Sequence, residues 1–461
     1  MTGDIRNRVQ LPRRVRLADG TEVTSAVIDY CLRQQIGMQA RHRALERYYN
    51  NQTAIQNRKA EDPDKPNNRI SHSFAKYITK VATAYFMGYG VRYDVPDGGY
   101  KAALDEVLDS NMTKIRHFEE AKEMSKHGVS YELLYIDPDG RLRCQQFGAD
   151  EIIPVYSESL GNFLVMALRP YETTGIAQGG KTKYVEVYTR QYVETWRQAG
   201  SGWKLEERFS HNFSDVPVIV RFNNAELRGD YEDVIPQIDA YDKAQSDTAN
   251  DLDYFTDAYL VLEGIDDLNA VDENGDDVPL AESAKVMKKN RVIYTPPNSK
   301  AEFITKDSND TTSENFKKRC YKDIFFISQV PNLTDEEFAG NLSGVAIKYK
   351  LFGLEELSIE KETYFTSSET KKLRLITEYL NTLKGTDYDY KEVTLTFDRS
   401  AVANTYEIAQ IVSLLQDTLS EETLISMVPE VEDVAEELNR KRTEREEKEN
   451  LLLPPDDEGG P

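Results

Sequence analysis

The stretch YEDVIPQIDAYDKAQSDTANDLDYFTDAYLVLEG, residues 231–264, reads as one long helix. Tyr231, Ile238, Leu252 and Tyr259 fall seven or fourteen apart, and Val234, Tyr241, Phe255 and Leu262 form a companion row, with Gln245 and Thr248 interrupting both. Pro236 sits in the first turn, where its missing N–H costs nothing. Some ~30 residues at ~1.5 Å rise make a rod of roughly 45 Å, suited to packing beside copies of itself. The rod carries Glu232, Asp233, Asp239, Asp242, Asp247, Asp251, Asp253 and Asp257 against a single base, Lys243. Asp239, Asp242, Asp247, Asp251 and Asp253 are therefore expected to make an acidic face that repels polyanions.

Downstream comes an acidic insert, DDLNAVDENGDDVPL, with Asn274-Gly275 as a hairpin turn. Asp266, Asp267, Asp272, Asp276 and Asp277 invite a calcium or two-metal reading. An EF-hand with Gly275 sixth would need acids where Ala270 and Ala281 stand, so turn chemistry explains the cluster. AESAKVMKKN, containing Lys288 and Lys289, reads as a short helix and RVIYTPP as a strand. Thr311 with Glu314 resembles a capping box, and Phe316, Cys320, Ile324 and Ile327 form the apolar face of a second rod ending near Gln329. Its flank of Lys317, Lys318, Arg319 and Lys322 could touch phosphate; charge complementarity favours pairing with the first rod instead. PNLTDEEFAGNL is a loop, and a helix from Ser343 to Lys384 follows, with Gly385 as its stop and Gly353 as a possible bend. A strand at Tyr388–Phe397, helices at 404–419, 421–427 and 430–449, and a polar tail complete the chain.

Upstream, helical patterns cover Thr24–Tyr49 and Ser71–Met87, joined by the linker AEDPDKPNN. FMGYGVRYDV is a helix exit into a strand. Two short helices, Lys101–Asp109 and Thr113–Lys126, lead to alternating segments at 131–136, 141–146, 163–168, 183–188, 192–197, 203–209 and 218–222, with Pro138-Asp-Gly and QAGSG as turns. The fold class is α+β, predominantly helical.

With 461 residues, two to four domains are expected. A formal charge of −23, from 57 basic and 80 acidic residues, argues against phosphate-gripping DNA binding. Cys31, Cys144 and Cys320 form no CxxC pair, so neither a disulfide framework nor a zinc site is indicated, and a reducing cytosol is expected. The basic start MTGDIRNRVQLPRRVRL lacks the apolar core of a signal peptide, and no run of ~18 apolar residues exists, so no membrane role is expected. No Walker loop, GxSxG, HExxH or GxGxxG occurs, and His42, His72, His117, His127 and His211 are scattered. No catalytic residue, cofactor or resident metal is expected.

VPNLTDEEFAGNLSGVAIKYKLFGLEEL, residues 330–357, closely resembles the portal proteins of tailed bacteriophages, of the type found in long-tailed phages of Gram-positive hosts. NNRISHSFAKYITKVATAYFMGYGVRYDV from Asn67, EDVIPQIDAYDKAQSD from Glu232 and FDRSAVANTYEIAQIVSLL from Phe397 look like further blocks of that family in the same order. The resemblance implies a phage portal fold with an α/β wing, helical stem, small α/β clip and helical crown. It implies a homo-oligomeric ring, commonly of about twelve or thirteen subunits, at one capsid vertex, with double-stranded DNA passing along its axis.

On that resemblance, residues 1–230 would be wing, 231–263 the first stem helix, 264–306 the clip, 307–329 the second stem helix and 330–342 the tunnel loop. Residues 343–400 would be the long helix and wing-returning strand, 401–449 the crown and 450–461 a disordered tail. Asn332, Asp335, Glu336, Glu337, Phe338 and Asn341 would be the loop's DNA-channel residues, with Phe338 packing between subunits an equal alternative. Asp266, Asp272, Asn274, Asp276, Lys288 and Lys289 would belong to the clip. Implied partners are the terminase large subunit, the head-tail connector or adaptor, and the major capsid and scaffolding proteins. The implied location is the virion, with host cytoplasm during assembly. A connector or scaffold is the rival structural role, and a metal-dependent nuclease at the acidic insert a remote one.

Overall fold

The structure is a computed structural model. It describes residues 14–60, 65–174, 181–255, 260–263, 292–295, 310–333, 344–399, 405–428, 431 and 434–452. The chain divides into two compact units, one of Met1–Val330 with Leu357–Asp398, the other of Pro331–Glu356 with Arg399–Pro461.

In the larger unit the strands predicted from alternation build two antiparallel systems. β1 (Val15–Leu17) pairs in parallel with β5 (Ile153–Ser157), and β5 continues through β6 (Leu164–Thr174), β7 (Lys181–Tyr188), β8 (Tyr192–Ala199) and β9 (Gly202–Ser210) as an antiparallel meander. Gly200 makes the β8–β9 turn with a φ of 62°. The second system is β3 (Val129–Ile136) between β4 (Leu142–Phe147) and β10 (Val218–Phe222). The expected Pro138-Asp-Gly turn closes the β3–β4 hairpin, with the Asp137 N–H on Arg141 O at 2.9 Å. β1 and β5 were not legible by alternation; β5 is buried almost along its length, so it has no polar face to alternate with.

α1 (Ser25–Tyr49) lies on the meander, where Ile28 and Cys31 join Val155, Met166, Leu168, Val185 and Val187. α2 (Phe74–Met87) exits into β2 (Val91–Asp94), followed by α3 (Gly98–Ser110), capped by Asp97, and α4 (Thr113–His127). α4 ends at Gly128, with a φ of 85°, where a Cβ would stand 2.0 Å from Leu227 O. Only glycine satisfies both the left-handed backbone and that approach.

A 3₁₀ turn at Glu232–Val234 leads into α5 (Ile235–Phe255). The helix expected to run on through Leu262 is corrected: Leu260–Glu263 form a strand, β11, paired in parallel with β12 (Val292–Thr295). The β-branched and aliphatic run AYLVLE fits a strand as well as a helix, and the pairing decides. α6 (Asp310–Ser328) follows. α7 (Gly344–Lys384) has 41 residues, passes Gly353 without a break and stops at Gly385 with a φ of 65°. The part of α7 within the larger unit packs Leu373, Ile376 and Leu380 on Tyr100, Leu104, Leu134 and Ile219. The predicted strand at 388–397 shortens to a 3₁₀ turn at Tyr390–Glu392 and β13 (Thr394–Phe397), which pairs antiparallel with β2.

In the smaller unit, α8 (Thr405–Leu415) is shorter than expected, and α9 (Glu421–Ser426) and α10 (Val434–Leu452) follow. Lys441 and Arg445 of α10 both reach Glu421.

Candidate functional site

The entry to α5 is fixed before the helix begins. Arg41 of α1 donates to Glu232 at 2.7 and 2.5 Å and to Leu227 O at 2.8 Å, and Tyr231 donates its hydroxyl to Leu45 O at 2.8 Å. These bonds weld the first helix of the sheet layer to the start of the acidic rod.

Three faces of α5 then do different things. One carries Asp239, Asp242, Ser246, Asn250 and Asp253, a seam at helical spacing, and it faces residues of the same chain between Tyr48 and His72. Tyr48 donates to both oxygens of Asp239 at 2.9 Å. Asp242 is fully buried and receives the Thr53 hydroxyl at 2.7 Å, the His72 backbone N–H at 3.1 Å and the His72 ring Nδ1 at 2.8 Å. The N–H of Ile70 donates to Ser246 Oγ at 2.9 Å and that of Asn68 to Asn250 Oδ1 at 2.7 Å, while Asn68 Nδ2 donates to Asp253 at 2.6 Å. A second face meets α6: Tyr241 lies 6.1 Å from Tyr321, Thr248 Oγ1 is 3.3 Å from Ser313, and Phe74 of α2 wedges between Tyr241, Tyr321 and Phe325 at 5.3, 5.8 and 6.1 Å. The third face, Ala240, Lys243, Ala244, Asp247 and Asp251, has among the described residues only the Asp247–Arg58 ion pair at 2.6 Å.

The single acidic face expected of this rod is thereby corrected. Asp242 faces inward, because a buried carboxylate needs its charge met by donors and the 53–72 segment supplies three. Asp239 is half-buried against Tyr48. Asp247, Asp251 and Asp253 remain at least partly open to solvent. The apolar rows are corrected too: Tyr231, Val234 and Ile238 are core, whereas Leu252 is 61% exposed.

On α6 the inward row is Lys317, Cys320, Ile324 and Ser328, so Phe316 and Ile327, expected on the core face, lie outside it. Lys317 is buried, pairs with Glu314 and lies 3.4 Å from Thr248 Oγ1. Lys318, Arg319 and Lys322 are exposed and make no ion pair among the described residues. The expected charge pairing between the rods therefore fails: the helices meet through aromatics and hydroxyls, leaving three cations outward.

Asn332 is half-buried just beyond α6. Asp335, Glu336, Glu337, Phe338 and Asn341 of the loop lie outside the described residues, as do Asp266, Asp272, Asn274, Asp276, Lys288 and Lys289. Among the described residues, no His, Cys, Asp and Glu cluster could hold a metal ion, and no helix is long and apolar enough to cross a membrane. Cys31, Cys144 and Cys320 are buried and unpaired.

Sequence reasoning missed a buried ionic joint. Arg221 of β10, fully buried, lies 3.0 Å from Glu132 of β3 and 2.7 Å from Glu369 of α7, donates to Ser368 at 3.1 Å, and stacks 4.2 Å from the Phe365 ring. Lys372 donates to Glu132 at 2.9 Å, and Tyr93 donates to Glu369 at 2.6 Å. His117 Nε2 stands 3.5 Å from both Glu369 and Lys372. Glu120 of α4 lies 2.7 Å from Arg221 Nε but out of line with it, so neither of its oxygens receives a hydrogen bond among the described residues. Burial pushes the Glu120 carboxyl up to about 8, against the pull of Arg221. Burial also opposes ionisation of Glu132 and Glu369, but Lys372 and Arg221 outweigh it and hold both below the usual range. With Glu120 protonated and His117 neutral, Arg221 and Lys372 balance Glu132 and Glu369. A second tie lies nearby: Lys361 of α7 meets buried Asp230 at 2.5 Å, and Asn223 donates to the same carboxylate at 2.8 Å. The available signal was a charge inside each apolar strand, Glu132 in YELLYI and Arg221 in VIVRF.

Residues 29–451 match the family model described as phage portal protein, SPP1 Gp6-like. The portal protein of Bacillus phage SPP1 is 27% identical over 428 residues, covering 87% of this chain and 80% of that protein. The portal protein of Clostridium phage phiCD119 is 26% identical over 409 residues, covering 83% and 86%. Among solved structures, the neck of an empty gene transfer agent particle and the virion of the native particle align with TM-scores of 0.40 and 0.37 at 11% and 13% identity, each covering 77% of this chain and 88% of the other. With the family model spanning nearly all of its length, this chain belongs to the SPP1 Gp6-like phage portal proteins, structural components of the virion.

Proposed function

We propose that the chain assembles into a ring at one capsid vertex and forms the channel through which double-stranded DNA is packaged, retained and ejected. The family match over residues 29–451 carries this reading. The physical logic is that a conduit must hold DNA without gripping it. An overall charge of −23 disfavours deep phosphate binding, and a few exposed cations limit the barrier to entry.

In this reading α5 and α6 are the stem, residues 264–306 the clip, residues 330–342 the tunnel loop and residues 401–449 the crown. Residues 1–230 are wing, joined by β13 through its pairing with β2. The terminase large subunit and the head-tail connector dock on the clip side, and capsid and scaffolding proteins meet the wing. The portal itself hydrolyses no nucleotide; translocation is driven by the motor it receives.

Negative-stain microscopy of the purified chain tests the reading. Rings with a central hole are expected, and a species that stays monomeric or dimeric under all assembly conditions would overturn it. Replacing Asp335, Glu336 and Glu337 together tests the loop: reduced DNA packaging with intact rings is expected, and normal packaging removes the loop's role.

A further inference from the structure

α5 and α6 present two unlike stripes that the described residues of their own chain leave largely uncovered. At about 100° per residue, the α5 stripe Ala240, Ala244, Asp247, Asp251 lies between the face on α6 and the seam on the 53–72 segment, and meets that segment only through the Asp247–Arg58 pair among the described residues. It carries two carboxylates, Asp247 shared with Arg58 and Asp251 exposed, with Lys243 on its flank, and two alanines keep it low enough for another helix to approach. On α6, the stripe Asn315, Arg319, Lys322, Phe326 lies roughly half a turn from the inward Lys317–Ile324–Ser328 row. It is basic, with Lys318 on its flank, and Phe326 is 83% exposed at one end. The cations have no ion pair among the described residues. On the acidic side Asp251 is exposed, and Asp247 shares only Arg58.

We infer that the acidic α5 stripe of one copy seats against the basic α6 stripe of the next, with Phe326 buried in the contact. The occupant is a second copy of this chain, chosen by charge: one stripe is what the other lacks. A two-fold dimer would need the same patch on both partners, whereas two different patches give a head-to-tail contact, which closes into a ring when the rotation per copy allows. The inference rests on the ring reading above and names the surfaces that would make it.

Charge reversal tests it on the full-length chain, with self-association followed by analytical ultracentrifugation and rings counted by microscopy. R319E/K322E and D247K/D251K are each expected to weaken association about tenfold or more. The quadruple variant, with both stripes reversed, is expected to recover ring formation. F326S removes a side chain that is exposed within the chain, so it should fold normally by circular dichroism and still assemble poorly. If the wild-type chain forms rings and the double variants form them equally well, the inference is overturned and the ring reading stands. If both doubles fail while the quadruple also fails and remains folded, the stripes do not face each other, and the inference is again overturned. A wild-type chain that never forms rings defeats the ring reading itself.

Discussion

The ionic joint around Arg221 and the seam along α5 handle charge in opposite ways. At the joint, charged groups from β3, β10 and α7 are buried together against Glu120 and His117 of α4 and neutralise one another. On α5, two carboxylates of one helix face different surroundings: Asp242 is buried beneath His72 and Thr53, while Asp251 faces solvent. A carboxylate's role here is decided by what the rest of the chain places against it, and composition alone does not distinguish these cases.

The sharpest way to break that contrast is Arg221→Met. It leaves the buried carboxylates of Glu132 and Glu369 with Lys372 as their one cation in the joint, and a stability loss of about 3–5 kcal/mol is expected in chemical denaturation. A loss under ~1 kcal/mol would mean the joint is not cohesive. Gly128→Ala comes next, forcing a Cβ onto Leu227 O in a left-handed backbone; ~2–4 kcal/mol is expected, read as a lowered melting temperature.

Glu120 sharpens the comparison through pH. Its folded carboxyl titrates near 8, above the unfolded value, so the folded state holds the extra proton between the two values. The stability this group contributes is present below the unfolded pKa and lost as pH rises towards 8. Glu120→Gln should match the native chain near pH 5 and exceed it near pH 9 by about 1–3 kcal/mol in urea melts. Equal pH slopes in the two proteins would refute the assignment.

On α5, Asp242→Asn should cost about 1–2 kcal/mol and speed hydrogen exchange across residues 53–72. Asp251→Asn should change stability by less than ~0.5 kcal/mol. Similar effects at the two positions would erase the distinction between the seam and the open stripe.

Much of the fold was legible where one face is polar. The β3–β4 and β8–β9 hairpins followed from alternation and from Gly140 and Gly200, and the end of α7 followed from Gly385. The family could be read from ordered sequence blocks. The seam could not: a helix with carboxylates at 239, 242 and 253 has the same period whether water or a distant segment lies over them. The covering residues Thr53, Asn68, Ile70 and His72 sit in and around a linker with no periodicity, and they bond through backbone groups as much as side chains. The ionic joint was hidden for a related reason. Its charges come from segments remote in sequence, and each alone looks like an exception within an apolar strand or an ordinary exposed residue on a helix.

The β2–β13 pair has a consequence for how the chain is made. Arg92 and Asp398, which meet beside it, stand 306 residues apart. At about 5–20 residues per second, a ribosome would need roughly 15–60 s between exposing one strand and supplying its mate. Through that interval the edge of Val91–Asp94 stays open to foreign strands, so production of this protein should respond to chaperone supply and to translation speed.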